Sequence, residues 1–184
     1  MSSLLISPEE SLLLVVDVQE RLWPHVSNCR EVRDRCKVLM QGASKLGVPI
    51  VISEQYPRGL GRTLPELTAG LSDPLPLCEK ISFSCLGDAT LAERLRKFDR
   101  PTLVVCGIEA HVCVLQTVLE ALDHSIRAVV VADAIGSRKD ENRQIALNRM
   151  RQAGAIVVST EMILFEWLRT AQHPAFKEIS GLLK

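Results

Sequence analysis

The chain has 184 residues, of which 47% are hydrophobic and 24% charged, the make-up of one globular domain with a core of ordinary size. Its 22 basic and 22 acidic residues cancel, so nothing calls for nucleic acid or an anionic membrane as partner. No stretch approaches the roughly 18 unbroken apolar residues of a membrane span, and Pro8-Glu9-Glu10 interrupts an N-terminal run that lacks a basic flank, so a cytoplasmic protein without a signal peptide is expected.

Short β-branched runs alternate with amphipathic stretches along the chain. The runs are Leu12–Val18, Val48–Ser53, Leu75–Glu79, Leu103–Gly107, Ala128–Ala132 and Ala155–Ser159. They show no polar alternation, which predicts strands buried on both faces in a mostly parallel sheet. Val32, Cys36, Leu39, Ala43 and Leu46 mark a first helix, stopped by Gly47 and Pro49. After the second run comes the longest irregular segment, Glu54–Pro74; loops of this length in compact domains are often functional. Leu91, Leu95 and Phe98 mark a second helix ended by Pro101, and Val114, Val118, Leu119 and Leu122 a third. Arg138–Ala153 gives a fourth, and Met162–Leu168 and Ala175–Leu183 give short closing helices. This unbroken alternation predicts an α/β fold, a three-layer doubly wound, Rossmann-like domain around six strands that occupies all of 1–184.

In such sheets ligands bind outside the carboxyl ends of the strands. Asp17 ends the first run, Glu54 follows the second, Lys80 the third and Glu109–Cys113 the fourth, so all should open on one edge. Cys113 would start the third helix, where unpaired N–H groups and the helix dipole favour a thiolate. Cys113 as nucleophile, Asp17 as general base and acid, and Lys80 as their cationic partner would make a hydrolase that works through a thioester.

These residues carry a resemblance. LLLVVDVQ, KISFS and VVCGIEAHVCVLQT, in this order, resemble the three motifs of the isochorismatase-like cysteine hydrolases, and EQYPRGLG with CGIEAHVC is similar to the isochorismatase domain-containing proteins. The resemblance spans nearly the whole chain and implies an Asp17–Lys80–Cys113 triad, oxyanion donors in the N–H groups of Glu109 and Cys113, a non-proline cis peptide at Ile108–Glu109, and homo-oligomers. The late segment Glu161–Lys184 would be a contact.

Departures from the resemblance narrow the chemistry. Nicotinamidases of this superfamily carry an Asp and several His after the second strand as metal ligands, whereas SEQYPRGLGRTLPEL has no His. His25, His111, His124 and His173 are scattered, so neither metal nor cofactor is expected. Members that cleave isochorismate hydrolyse a vinyl ether without a cysteine nucleophile, so Cys113 points to a small amide or related carbonyl compound as the substrate.

Several residues carry two readings each. Glu109 would line the pocket floor or serve as a structural carboxylate bonded to neighbouring backbone. His111 would tune the thiol or cap the surface, and Gln19 would orient Asp17 or brace a loop. Trp23, Glu54, Tyr56 and Phe83 are pocket candidates whose alternative is packing under the Glu54–Pro74 loop. Asp133 and Ser137 would brace the turn into the fourth helix. The six cysteines form no CxxC pair and read as reduced thiols. Cys29, Cys36 and Cys106 are expected in the core, while of Cys78 and Cys85, which flank Lys80, either could be partly exposed. The rival functional reading is a non-catalytic member of the fold that senses redox state through Cys113 or binds protein. A nucleotide-binding domain fails for want of GxGxxG or GxxxxGK[ST].

Overall fold

The computed structural model describes residues 4–71 and 75–184, so Pro74 at the end of the long irregular segment lies outside it. All six apolar runs form strands: β1 (Ser11–Val16), β2 (Ile50–Gln55), β3 (Leu77–Lys80), β4 (Thr102–Ile108), β5 (Arg127–Gly136) and β6 (Ile156–Val158). They make one sheet in the order β3-β2-β1-β4-β5-β6, and every neighbouring pair is parallel. The order reverses between β1 and β4, the place where doubly wound sheets open a ligand crevice.

Strand parity divides the core in two. Leu12, Leu14, Val16, Val51, Val105 and Val130 pack on one face beneath α4 (Ala89–Arg96), α5 (Leu115–Asp123) and α6 (Asp140–Gln152). Leu13, Val15, Ile50, Ile52, Val104 and Val129 pack on the other, beneath α1 (Cys29–Lys45), α7 (Thr160–Leu168) and α8 (Phe176–Leu182). Successive side chains of a strand point to opposite faces, so each central strand supplies both cores and has no polar face.

Several boundaries differ from expectation for local reasons. β1 stops at Val16 because Asp17 takes a left-handed backbone, φ 51, and turns the chain out of the sheet. β5 runs past Ala132 to Gly136, with a register shift against β4 between Val105 and Gly107. Asp133 therefore lies inside a strand and does not brace the turn before α6; its Oδ1 accepts from the N–H and hydroxyl of Thr160 at 2.7 and 2.9 Å and so anchors the start of α7. Ser159 is not in β6; its hydroxyl caps α7 by accepting from Met162 N–H. The long segment after β2 is not wholly irregular, since α2 (Pro57–Leu60) and α3 (Pro65–Thr68) lie within it. α6 starts at Asp140, two residues later than expected.

Candidate active site

Asp17, Lys80 and Cys113 come together at the carboxyl edge of the sheet, the first and last at the β1/β4 switch. Both carboxylate oxygens of the fully buried Asp17 are occupied. Oδ2 accepts from Lys80 Nζ at 2.7 Å and Oδ1 from the Ser53 hydroxyl at 2.7 Å. The charge of this carboxylate also acts on the Cys113 thiol.

Lys80 is the last residue of β3, and its ammonium is wholly enclosed. Besides Asp17 it reaches Gln55 Oε1 at 2.7 Å and the carbonyls of Phe83 and Ser82 at 3.1 and 3.3 Å. These acceptors outnumber the three N–H bonds of an ammonium, so Lys80 acts on the site through its charge. Burial pulls its pKa down, but Asp17 and the thiols of Cys85 and Cys113 outweigh that and raise it, so Lys80 stays cationic.

Cys113 lies in a wide π-type turn, Ala110–Val114, that leads into α5. The N–H groups of Val112 and Val114 both turn back to the Glu109 carbonyl, at 3.1 and 3.2 Å. The peptide Ile108–Glu109 is cis, at the place the resemblance implied. Cys113 is only 5% exposed, and its thiol is held well above the ordinary range. Burial is the largest cause, the Asp17 charge adds to it, and Lys80 pulls the other way without prevailing. The expected resting thiolate is thus corrected: a helix start favours the anion, but here a low-dielectric pocket and a carboxylate neighbour keep the proton on sulfur.

The other candidates divide. Glu109 is buried, and its carboxylate accepts from Arg138 Nε and backbone N–H at 3.0 and 3.1 Å, which is the structural alternative for this residue. Gln19, fully buried, braces the loop: its Nε2 donates to the carbonyls of Gln55 and Gly61, and its Oε1 accepts from Gln55 N–H. Glu54 points into the other core face, where Thr63 N–H and hydroxyl and Arg62 claim it, so it does not face the crevice. Trp23 is half-buried, with Nε1 on the Cys29 carbonyl at 2.7 Å and the Arg33 guanidinium over its ring. Tyr56 and Phe83 are about half exposed, at 52% and 53%. His111 Nδ1 pairs with the hydroxyl of buried Ser137 at 2.9 Å, so Ser137 serves the turn that carries Cys113.

Of the two cysteines that flank Lys80, Cys78 is half-buried and Cys85 fully buried. Cys36 and Cys106 are buried, but Cys29 is only partly so. Sequence reasoning missed Ser53 and Gln55, although parity could have found them. Val51 lies in the same core as Cys113, so positions 53 and 55 of β2 point to that face and position 54 to the other. Among the described residues no cluster of three or more His, Cys, Asp or Glu side chains could hold a metal ion.

The Isochorismatase domain model matches residues 11–162. The chain belongs to the isochorismatase domain family. It is 38% identical over 178 residues to isochorismatase domain-containing protein 2 of Xenopus laevis, covering 97% of this chain and 85% of that one. Among solved structures it is similar to the MAR1 ribonuclease of Caenorhabditis elegans, at 36% identity and TM-score 0.90, over 97% of this chain and 91% of that one. It also shares its fold with the Escherichia coli YcaC gene product, described as an octameric hydrolase of unknown specificity, at 21% identity and TM-score 0.92, over 100% of this chain and 91% of that one. No helix among the described residues is long and apolar enough to cross a membrane.

Proposed function

We propose that this member of the isochorismatase family is a metal-independent cysteine hydrolase that cleaves a small amide or related carbonyl compound. The observation that carries the reading is the buried Asp17 carboxylate, bonded to the Lys80 ammonium and acting through its charge on the Cys113 thiol. Asp17 takes the thiol proton as sulfur attacks the carbonyl carbon, so the thiolate forms only as it reacts. The N–H groups of Glu109 and Cys113, at the two ends of the turn, receive the developing oxyanion. Asp17 then gives its proton to the leaving amine, and water, deprotonated by the same carboxylate, releases the acid from the thioester. Lys80 keeps the carboxylate in place and offsets charge throughout.

The test is hydrolysis of a panel of small neutral primary amides, with mass spectrometry for an acyl adduct on Cys113. Turnover that disappears in Cys113→Ala and Asp17→Asn supports the reading; turnover that survives Cys113→Ala refutes it. The redox-sensing alternative is disfavoured because sensor thiols are exposed and acidic, and this one is neither.

The name of the Caenorhabditis elegans neighbour motivates a second reading, hydrolysis of RNA. A phosphodiester would meet the Asp17 carboxylate here and a lysine whose N–H bonds are already spent. We therefore expect no cleavage of single-stranded RNA by the pure protein; cleavage that is lost in Cys113→Ala would reverse this choice. We further propose that the protein is a homo-oligomer.

A further inference from the structure

A circuit of hydrogen bonds runs from the Asp17 carboxylate round to the backbone of Cys113. Asp17, whose charge acts on the Cys113 thiol, accepts at Oδ1 from the Ser53 hydroxyl at 2.7 Å. Ser53 Oγ lies 3.5 Å from the Cys85 sulfur, and Cys85 N–H donates to Thr117 Oγ1 at 2.9 Å. The Thr117 hydroxyl then donates to the Cys113 carbonyl at 2.7 Å. Ser53, Cys85 and Thr117 are all fully buried, so none has water as an alternative partner.

The hydroxyl directions follow from the partners. A carboxylate only accepts, so the Ser53 proton must lie on Asp17, and Ser53 has lone pairs left to accept a donor. Cys85 supplies one. Burial first, and then Asp17, push its thiol up to about 11, so it keeps its proton at neutral pH. The charged or titratable groups acting on Asp17 are Lys80 from β3, Cys113 from the turn and Cys85 from the loop after β3. Glu54, next to Ser53 on β2, is turned to Arg62 and Thr63.

We propose that Ser53, oriented by the buried Cys85 thiol, is a positioning residue that fixes the Asp17 carboxylate against Cys113. With Lys80 on Oδ2 and Ser53 on Oδ1, the carboxyl plane is held from both sides, and rotation away from the thiol would break one of the two bonds. Ser53 touches neither substrate nor sulfur of the nucleophile. The circuit through Thr117 ties the loop that carries Cys85 to the helix that follows Cys113, so base and nucleophile keep their separation. This inference rests on the reading of Asp17, Lys80 and Cys113 as the catalytic triad.

The experiment is acetylation of Cys113 by p-nitrophenyl acetate at pH 7, followed by peptide mass spectrometry. Ser53→Ala should slow it about tenfold, the usual scale for a hydrogen bond to a charged group. Ser53→Thr, which keeps the hydroxyl, should restore the rate to within about twofold. In an Asp17→Asn background Ser53→Ala should change nothing further, because its effect passes through the carboxylate. Equal slowing in both backgrounds, or no slowing in a variant that melts like the unsubstituted protein, would overturn the role of Ser53. Failure of the triad looks different: Cys113 of the unsubstituted protein would then take no acetyl group at any pH.

Discussion

At the scale of single residues, the site is organised around a proton that stays on sulfur. The Asp17 charge and burial raise the Cys113 thiol, and Lys80 lowers it. The sign for each variant follows. Asp17→Asn removes the charge and the acceptor that hold the proton, so the thiol titrates lower and iodoacetamide alkylation of Cys113 at pH 7 should rise about tenfold, the equivalent of one pKa unit. Lys80→Met removes the pull toward thiolate, so alkylation at pH 7 should fall. Amide turnover should be lost in both, because the base is missing in one and unsupported in the other. Rising alkylation with slower acetylation and lost turnover is the signature of a carboxylate that raises the resting thiol yet takes its proton in attack on a carbonyl; alkylation that does not rise in Asp17→Asn would mean that its charge does not set the resting thiol. Lys80→Met also leaves a buried carboxylate unpaired, a loss of about 3–5 kcal/mol, so its melting temperature must be measured alongside.

At the scale of elements, β1 and β4 approach so closely that one residue type fits between them. Gly107 has φ +113, and a Cβ there would sit 2.1 Å from the Val16 carbonyl oxygen, an atom of backbone that cannot move aside. Gly107→Ala should cost about 3 kcal/mol or more, lowering the melting temperature by roughly 10 °C, and should disturb the register that sets Asp17 beside Cys113. A variant that melts within two degrees or so of the unsubstituted protein would mean that the strands can part cheaply there. The strands and helices were legible because apolar runs and helical periods are local signals, and the motif residues Asp17, Lys80 and Cys113 were legible at strand ends. Their environment was less so. Ser53 and Gln55 are polar residues at the end of an apolar strand, and only its parity assigns them to the active face. The extension of β5 through Asp133 depends on a bulge against β4, which no local pattern marks. The protonation of Cys113 depends on burial and on a charge from another strand, neither of which a spacing reveals.

At the scale of the molecule, one copy leaves two sets of apolar side chains uncovered. α7 buries Ile163, Leu164, Trp167 and Leu168 in its own core yet exposes Met162 and Phe165 at 50% and 39%. Met162 and Phe165 stand beside the exposed Glu161, and an apolar patch rimmed by charge is what contact surfaces present. The competing surface is the open edge of β3, with Leu77, Ile81 and Phe83 exposed. That edge carries the Glu79–Arg62 ion pair, and charge on an edge strand discourages pairing with another sheet. Self-association should therefore run through α7, within the late segment expected from sequence. Light scattering at tens of micromolar should give a multiple of 20.4 kDa. Met162→Glu should reduce that mass with little change in monomer stability, since Met162 is half exposed; Phe165 is left in place because its ring packs 6.3 Å from that of Phe176. Ile81→Lys with Phe83→Lys should leave the mass unchanged. A reversal of those two results would move the interface to the β3 edge, beside Tyr56 and the crevice that holds Cys113, and a monomeric mass for the unsubstituted protein would remove the oligomer altogether.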